Sequence, residues 1–230
     1  MNYLPPKRVV IDIGASVGLF AVFIAGRKTR EGHPSASVIA VEPIPSSAKK
    51  IATMPNVTVI EKAILPSRLI PASGFRDLNT MSNPELSSFL EVRESLDTKL
   101  WRSHLQGLSS DGSVRVRCVT LEDLMRERDI GYVDFVKIDT QGTDLSVFLS
   151  AGPMVSKIMS VVLEFPYSAA TSIYSDEPAL LEGVNTMAGA GFSLIRVVPN
   201  GAGECNAFFV NNHFPVEDYL EMENELGFAK

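Results

Sequence analysis

The 230-residue chain predicts an α/β domain built on a parallel sheet. Three observations point there. Short β-branched runs, apolar enough to be buried on both faces, recur along the chain; stretches of helical length separate them; and the series closes on two runs joined by a tight turn.

Taken in order, residues 7–13 (KRVVIDI) read as a buried strand and 17–27 as a helix, with Lys28 and Arg30 at the end where the dipole favours cations. Residues 37–42 (SVIAVE) form a second strand, punctuated by Pro43, Pro45 and Ser46 before a basic-ended helix at 47–53. A third strand follows at 56–60 (NVTVI). Residues 65–112, rich in Ser, Pro and Asn with an amphipathic stretch at 86–105, break this rhythm. They predict an inserted lid or substrate-facing excursion within a single domain spanning 1–230. The strict alternation of 113–119 (SVRVRCV) is a half-exposed strand, and Thr120 to Asp123 has the pattern of a capped helix start. Strands are then expected at 132–139 (YVDFVKID) and 157–165 (KIMSVVLEF), with helices at 145–149 and within 177–190. Residues 192–198 and 205–210, joined through a Pro-Asn-Gly turn, predict a terminal antiparallel hairpin.

Composition excludes several classes. With 27 acids against 21 bases and a net charge of -6, the chain would repel a nucleic-acid backbone, and its one dense basic cluster alternates Arg126 and Arg128 with Glu127 and Asp129. The two cysteines, Cys118 and Cys205, fall in strand-like runs and read as buried free thiols. Lys7 and Arg8 precede a long apolar stretch, but Asp12, Gly14 and Gly18 argue against a signal or a membrane span. A soluble, cytoplasmic protein with no nucleic-acid or membrane partner is expected.

In an open parallel sheet, ligands bind beyond the carboxyl ends of the strands. After the first strand comes Asp12-Ile13-Gly14-Ala15-Ser16-Val17-Gly18. Gly14 permits a tight turn and a close backbone approach, Ser16 is placed to cap the next helix, and Gly18 lets that helix pack on the strand. Glu42 and Pro43 follow the second strand, where a carboxylate can accept both hydroxyls of a ribose. Ala63, after the third, leaves room for a flat base. A dinucleotide fingerprint would need a middle glycine that Gly14-x-x-x-Gly18 lacks, and an acid is a poor neighbour for phosphate. These features together describe a cofactor with a ribose, a base and an amino-acid end but no phosphate: S-adenosylmethionine, with S-adenosylhomocysteine as product.

The blocks VVIDIGASVGLF, VEP at 41–43, VTLEDLM, VDFVKIDTQGTDLSVFLSAG and VVLEF resemble the FkbM family of S-adenosylmethionine-dependent methyltransferases over about residues 9–165. The resemblance implies a Rossmann-like class I methyltransferase fold, with a seven-stranded, mostly parallel sheet, a C-terminal antiparallel hairpin and helices on both faces. It also implies O-methylation of a hydroxyl on a small-molecule or glycan acceptor, such as a sugar or a natural product. Two positions depart from the family pattern: Ser16 stands where Asn is usual, and Gln141 where Glu is usual.

Asp139 is the first candidate for the reaction centre, as base, metal ligand or orienter of the sulfonium end, and is counted with Gln141 among the cofactor-binding residues. Glu164 is expected to face the acceptor, and His104, in the excursion, is a candidate base. Asp144 reads better as a first-turn helix carboxylate. Trp101 and Phe75 are candidates to stack on an acceptor or to pin the excursion, and Tyr167, close after Glu164, to line the acceptor pocket. His33, His104 and His213 have no mutual metal spacing, and no metal is expected. Two other readings compete: a catalytically idle relative that binds cofactor or a partner, and a nicotinamide-dependent oxidoreductase.

Overall fold

The computed structural model describes residues 8–28, 32, 35–201 and 203–227, so Lys7, Arg30 and His33 lie outside the described residues. Its elements run β1 (Arg8–Ile13), α1 (Leu19–Ala25), β2 (Ala36–Val41), α2 (Pro45–Ile51), β3 (Val57–Ile60), β4 (Ala63–Ile64), β5 (Phe75–Met81) and β6 (Ser110–Val119). After these come α3 (Leu121–Glu127), β7 (Val133–Ile138), α4 (Asp144–Leu149), β8 (Ile158–Pro166), α5 (Leu180–Gly189), β9 (Phe192–Asn200), β10 (Glu204–Asn211) and α6 (Val216–Leu226).

Seven strands make the main sheet in the order β3-β2-β1-β7-β8-β10-β9, parallel throughout except β10, which runs antiparallel to β8 and β9. This is the class I methyltransferase topology. From β1 the chain builds outward through β2 and β3, then returns to the other side of β1 as β7. The reversal leaves a crevice between the carboxyl ends of β1 and β7, where such sheets bind ligands.

Period-2 alternation gives each central strand two buried faces, and each face has its own core. Ile11, Ile13, Val136 and Leu163 pack against Leu121, Leu124, Phe148 and Met187 of α3, α4 and α5. Val10, Phe135 and Met159 pack against Ile24, Ile51, Tyr219 and Met222 of α1, α2 and α6. Thr120 caps α3 by accepting from the Asp123 N–H at 3.0 Å, with Asp123 returning the contact, as its sequence pattern predicts. Cys118 and Cys205 are buried and free.

Residues 65–112 hold more regular structure than the sequence reading allows. β5 pairs antiparallel with β6, and β6 parallel with β4, forming a separate three-stranded sheet. The amphipathic stretch at 86–105 is not a helix but a succession of turns. Its apolar residues are satisfied elsewhere: Leu90, Val92, Leu96 and Leu100 cluster with Trp101, Ile173 and Tyr174. Trp101 donates its indole N–H to the Thr171 carbonyl at 3.0 Å, so it pins the excursion to residues 168–177. Two backbone bonds, Arg93 N–H to Ile173 O and Ser175 N–H to Glu91 O, complete that seam. Residues 82–108 and 168–177, joined in this way, form an arch.

The last helix, α6, has no counterpart in the sequence reading, although its signals are present. Tyr219, Met222, Glu223 and Leu226 are buried at helical spacing, Glu217 and Asp218 sit in the first turn, and Gly227 closes it with φ of 79°. No helix among the described residues is long and apolar enough to cross a membrane.

Gly183 in α5 tests the packing behind the site. A Gly→Ala change inside a helix ordinarily stabilises by about 1 kcal/mol, but a Cβ at position 183 would overlap the ring of Phe165, which is buried on β8 next to Glu164. Gly183→Ala is therefore expected to lower the free energy of unfolding by about 1–3 kcal/mol in urea denaturation.

Candidate active site

The turn after β1 is built from three left-handed residues: Gly14 (φ 76°), Ser16 (φ 51°) and Gly18 (φ 80°). Gly14 and Ala15 donate their N–H groups to the Val41 carbonyl at 2.9 and 3.2 Å, which draws the turn across the end of β2. A Cβ at position 14 would overlap the Asp139 carbonyl oxygen, so only glycine lets the ends of β1 and β7 meet. Gly18 lies behind the site, against Ile51 and Met54, and is itself the N-cap of α1.

Ser16 does not cap that helix. Its hydroxyl makes no bond to the helix start, and the buried oxygen has no hydrogen-bond partner among the described residues. Its amide instead donates to Glu42 Oε2 at 2.8 Å, while Ile44 N–H donates to Glu42 Oε1 at 2.8 Å. Each carboxylate oxygen retains a second lone pair. Burial pushes the Glu42 carboxyl up to about 7, with the two amide donors opposing the shift and Asp12 adding to it.

Two connected lobes run along the carboxyl ends of the strands. The first has Gly14, Ser16, Glu42, Pro43 and Ala63 in its wall. The second takes Asp12, Ala15, Lys137, Glu164, His104 and Glu204. Gly14, Ser16, Asp139 and Gln141 border both, so the two adjoin as one cleft.

At the centre of the second lobe Lys137 stands between two acids. Its Nζ lies 3.0 Å from Asp139 Oδ2 and 3.9 Å from Asp12 Oδ1. Burial works against the ammonium, but Asp139 and Asp12 outweigh it and hold Lys137 well above its ordinary value. Asp12 is fully buried, and neither of its oxygens has a hydrogen-bond partner among the described residues; the Ala21 amide lies toward it outside bonding geometry. Burial pushes its carboxyl up to about 6, Lys137 restraining the shift and Asp139 increasing it. Gln141 donates from Nε2 to Asp139 Oδ1 at 2.8 Å.

Glu164, at the end of β8, accepts from the Asn200 side-chain amide, and burial followed by Asp139 and Glu204 raises its carboxyl. Burial with Glu177 and Asp139 nearby pushes Glu204 up to about 8. His104 borders the same lobe, edge-on to Trp101 and bonded at Nδ1 to Ser103 Oγ at 3.1 Å.

Asp144 is a brace. It is buried on α4, where Oδ1 accepts from the Thr140 amide and hydroxyl at 2.7 Å each and Oδ2 accepts from Glu164 N–H at 3.0 Å. Phe75 is exposed on β5 under Arg115, and neither it nor Tyr167 borders the cleft. Sequence reasoning does not single out Lys137, Glu85, Asn200, Glu204 or Tyr174 of the arch. Only Lys137 leaves a trace there, as a cation two residues before Asp139 in a strand otherwise apolar at its end. Among the described residues no group of three His, Cys, Asp or Glu is arranged to hold a metal ion.

Residues 12–194 match the Methyltransferase FkbM domain, a span that begins at Asp12 and contains β7, β8 and most of the cleft, Asn200 and Glu204 lying beyond it. The chain belongs to the FkbM methyltransferase family. It is 25% identical over 186 residues to the AMB antimetabolite synthetase AmbE of Pseudomonas aeruginosa; that match covers 70% of this chain and 8% of the relative, so the chain spans only a small part of that protein's length. Among solved structures it is similar to magnesium protoporphyrin IX methyltransferase (ChlM) from Synechocystis PCC 6803 with bound SAH, with 11% identity, TM-score 0.48 and 90% and 75% of the two chains covered. A TehB-like SAM-dependent methyltransferase from Corynebacterium glutamicum gives 8% identity, TM-score 0.44 and coverage of 90% and 82%.

The buried acids of the FkbM cleft set a pH dependence. Asp12 rises from an ordinary 3.8 to about 6 and Glu42 from 4.5 to about 7, so the folded protein binds these protons more tightly than the unfolded chain. Their contribution to stability is complete below the ordinary values and is lost as pH rises through about 6 and 7, on the order of 3 kcal/mol each. Glu42→Gln removes one share: the fall in urea-unfolding free energy between about pH 5 and about pH 8 should be shallower in the variant than in the parent.

Proposed function

We propose that the protein methylates a hydroxyl group of a sugar, glycan or natural product, with the donor in the first lobe and its amino-acid end and the acceptor in the second. The observation that carries this reading is the unpartnered, fully buried Asp12 carboxylate beside a cleft whose other wall holds Glu42 and the small Ala63. That lining fits S-adenosylmethionine by its chemistry: a carboxylate with free lone pairs for a ribose diol, room for a base at Ala63 and Pro43, and a buried acid, without hydrogen-bond partners and answered only by Lys137 at 3.9 Å, for a cationic end. Bound there, S-adenosylmethionine supplies an electrophilic methyl group.

The chain's own residues divide the remaining work. Gly14, Ala15 and Ser16 bring backbone close to the ligand, and Glu42 holds the ribose. Lys137 fixes Asp139 in place, and Asp139 orients groups at the junction of the lobes. Glu164, whose proton affinity is raised by burial and by Asp139 and Glu204, takes the proton from the acceptor hydroxyl in its carboxylate form. Asn200 and Glu204 offer hydrogen bonds to a polyhydroxylated acceptor, and His104 reaches the lobe from the arch as a second proton acceptor. Residues 65–112 serve as the acceptor-facing excursion of a single domain, which excludes water from the cleft. Proximity and orientation supply much of the acceleration in such a transfer.

Isothermal titration calorimetry of S-adenosylhomocysteine tests the donor half. The parent should bind it and not NADH, and Glu42→Ala should weaken binding about 10- to 100-fold, because a buried ribose diol loses a charged acceptor. Binding of NADH, or unchanged affinity in the variant, overturns the assignment. For the acceptor half, Glu164→Gln should lower kcat by about 10²-fold or more on a sugar or polyketide alcohol found by screening, with S-adenosylhomocysteine affinity within about threefold of the parent. Equal losses in both quantities would remove Glu164 from the proton-transfer role.

A further inference from the structure

Gln141 occupies a position where the sequence shows only a missing acid, yet its side chain and backbone are held from several directions. Its backbone is left-handed, φ 55°, and Gly142 follows at φ 92°. A non-glycine residue in that region costs on the order of 1 kcal/mol and persists only where its surroundings hold it. Three contacts do so. Ser88 Oγ donates to the Gln141 carbonyl at 2.6 Å, Gln141 Nε2 donates to Asp139 at 2.8 Å, and Gln141 Oε1 lies 3.1 Å from the Tyr174 hydroxyl. The single Tyr174 hydroxyl proton is shared between Gln141 Oε1 and the Leu86 carbonyl, which lies at 2.7 Å. Ser88, Leu86 and Tyr174 all belong to the arch. A chain of polar contacts thus runs from Leu86 and Tyr174 through Gln141 to Asp139 and on to Lys137.

We propose that Gln141 is a positioning residue that orients the Asp139 carboxylate and ties that orientation to the seating of the arch. An amide suits the post because it donates on one side and accepts on the other. An ionised glutamate there would set a second carboxylate against Asp139 with no proton to share. The charged and titratable groups around it leave little relief: Asp139 and Asp144 on neighbouring positions, Asp12 on β1, Glu164 on β8, Glu204 on β10, and Glu85, His104 and Glu177 from the arch and its end, against the ammonium of Lys137. The role rests on the cofactor reading only in its consequence for binding, since the contact chain belongs to the protein alone.

The test compares Gln141→Glu and Gln141→Leu with the parent in the whole 230-residue chain. Melting temperatures without ligand should show the Gln141→Glu deficit growing by about 4 °C or more between about pH 5.5 and about pH 8.5, as the introduced carboxyl group ionises against Asp139. In the Asp139→Asn background the growth should vanish, and the Gln141→Leu deficit should not depend on pH. Backbone hydrogen exchange across residues 84–90 should quicken in Gln141→Leu, because the Tyr174 hydroxyl loses its side-chain partner and the arch its tie to Asp139. A Gln141→Glu deficit equal at both pH values, or unchanged exchange at 84–90, overturns the proposal. S-adenosylhomocysteine affinity of Gln141→Glu relative to the parent should fall about tenfold over the same pH interval. If the parent binds none, the cofactor reading fails, while the melting and exchange measurements still decide the role of Gln141.

Discussion

The site depends on how closely the carboxyl ends of β1 and β7 approach. Asp139 donates its N–H to the Ile13 carbonyl at 3.0 Å, and Gly14 lies so near the Asp139 carbonyl that no side chain fits between. Asp12 and Lys137 are direct neighbours in the register of that parallel pair, so they emerge on the same face, and Asp139, two residues on, follows them. Lys137 is thereby placed between two carboxylates. The junction between the lobes exists because these two strands are adjacent in the sheet, although β2 to β6 come between them in the chain.

The same approach sets the electrostatics. Removing Asp12, Glu42 and Glu164 from water penalises their charged forms, and the ammonium at Lys137 answers only part of that penalty at Asp12. Asp144 is buried as well, but its oxygens are taken up by Thr140 and the Glu164 backbone, where it braces the loop after β7. Burial alone does not mark an acid as functional; the direction of its free lone pairs does. Asp12 retains both oxygens without hydrogen-bond partners among the described residues, and both Asp144 oxygens are bonded.

Much of the fold is legible in the chain because strands buried on both faces leave continuous β-branched runs, and the hairpin of β9 and β10 carries its turn residues openly. β5 is not legible, since its residues FRDLNTM bury only Leu78 and Met81 and the strand is stabilised by pairing with β6. The arch is not legible for a related reason. The stretch at 86–105 reads only as amphipathic, and its apolar side chains answer to Trp101, Ile173 and Tyr174, two of which come from a distant part of the chain. For α6 the signals are local and complete, an acidic first turn and a closing glycine around an apolar stripe. Ser16 looks like a helix cap because serine usually is one, and nothing in a serine announces a positive φ.

Read alone, the chain specifies the ends of the strands and the residue types standing there: Asp12 and Gly14 at the end of β1, Glu42 and Pro43 after β2, Asp139 after β7, Glu164 near the end of β8. Local hydrophobic period and turn chemistry suffice for that. The assembled fold settles which of those residues share a cavity, that Lys137 lies between two acids, and that Gln141 links Asp139 to Tyr174. These facts depend on strand register and on contacts between segments far apart in the chain, where side-chain spacing carries no information until the sheet is formed.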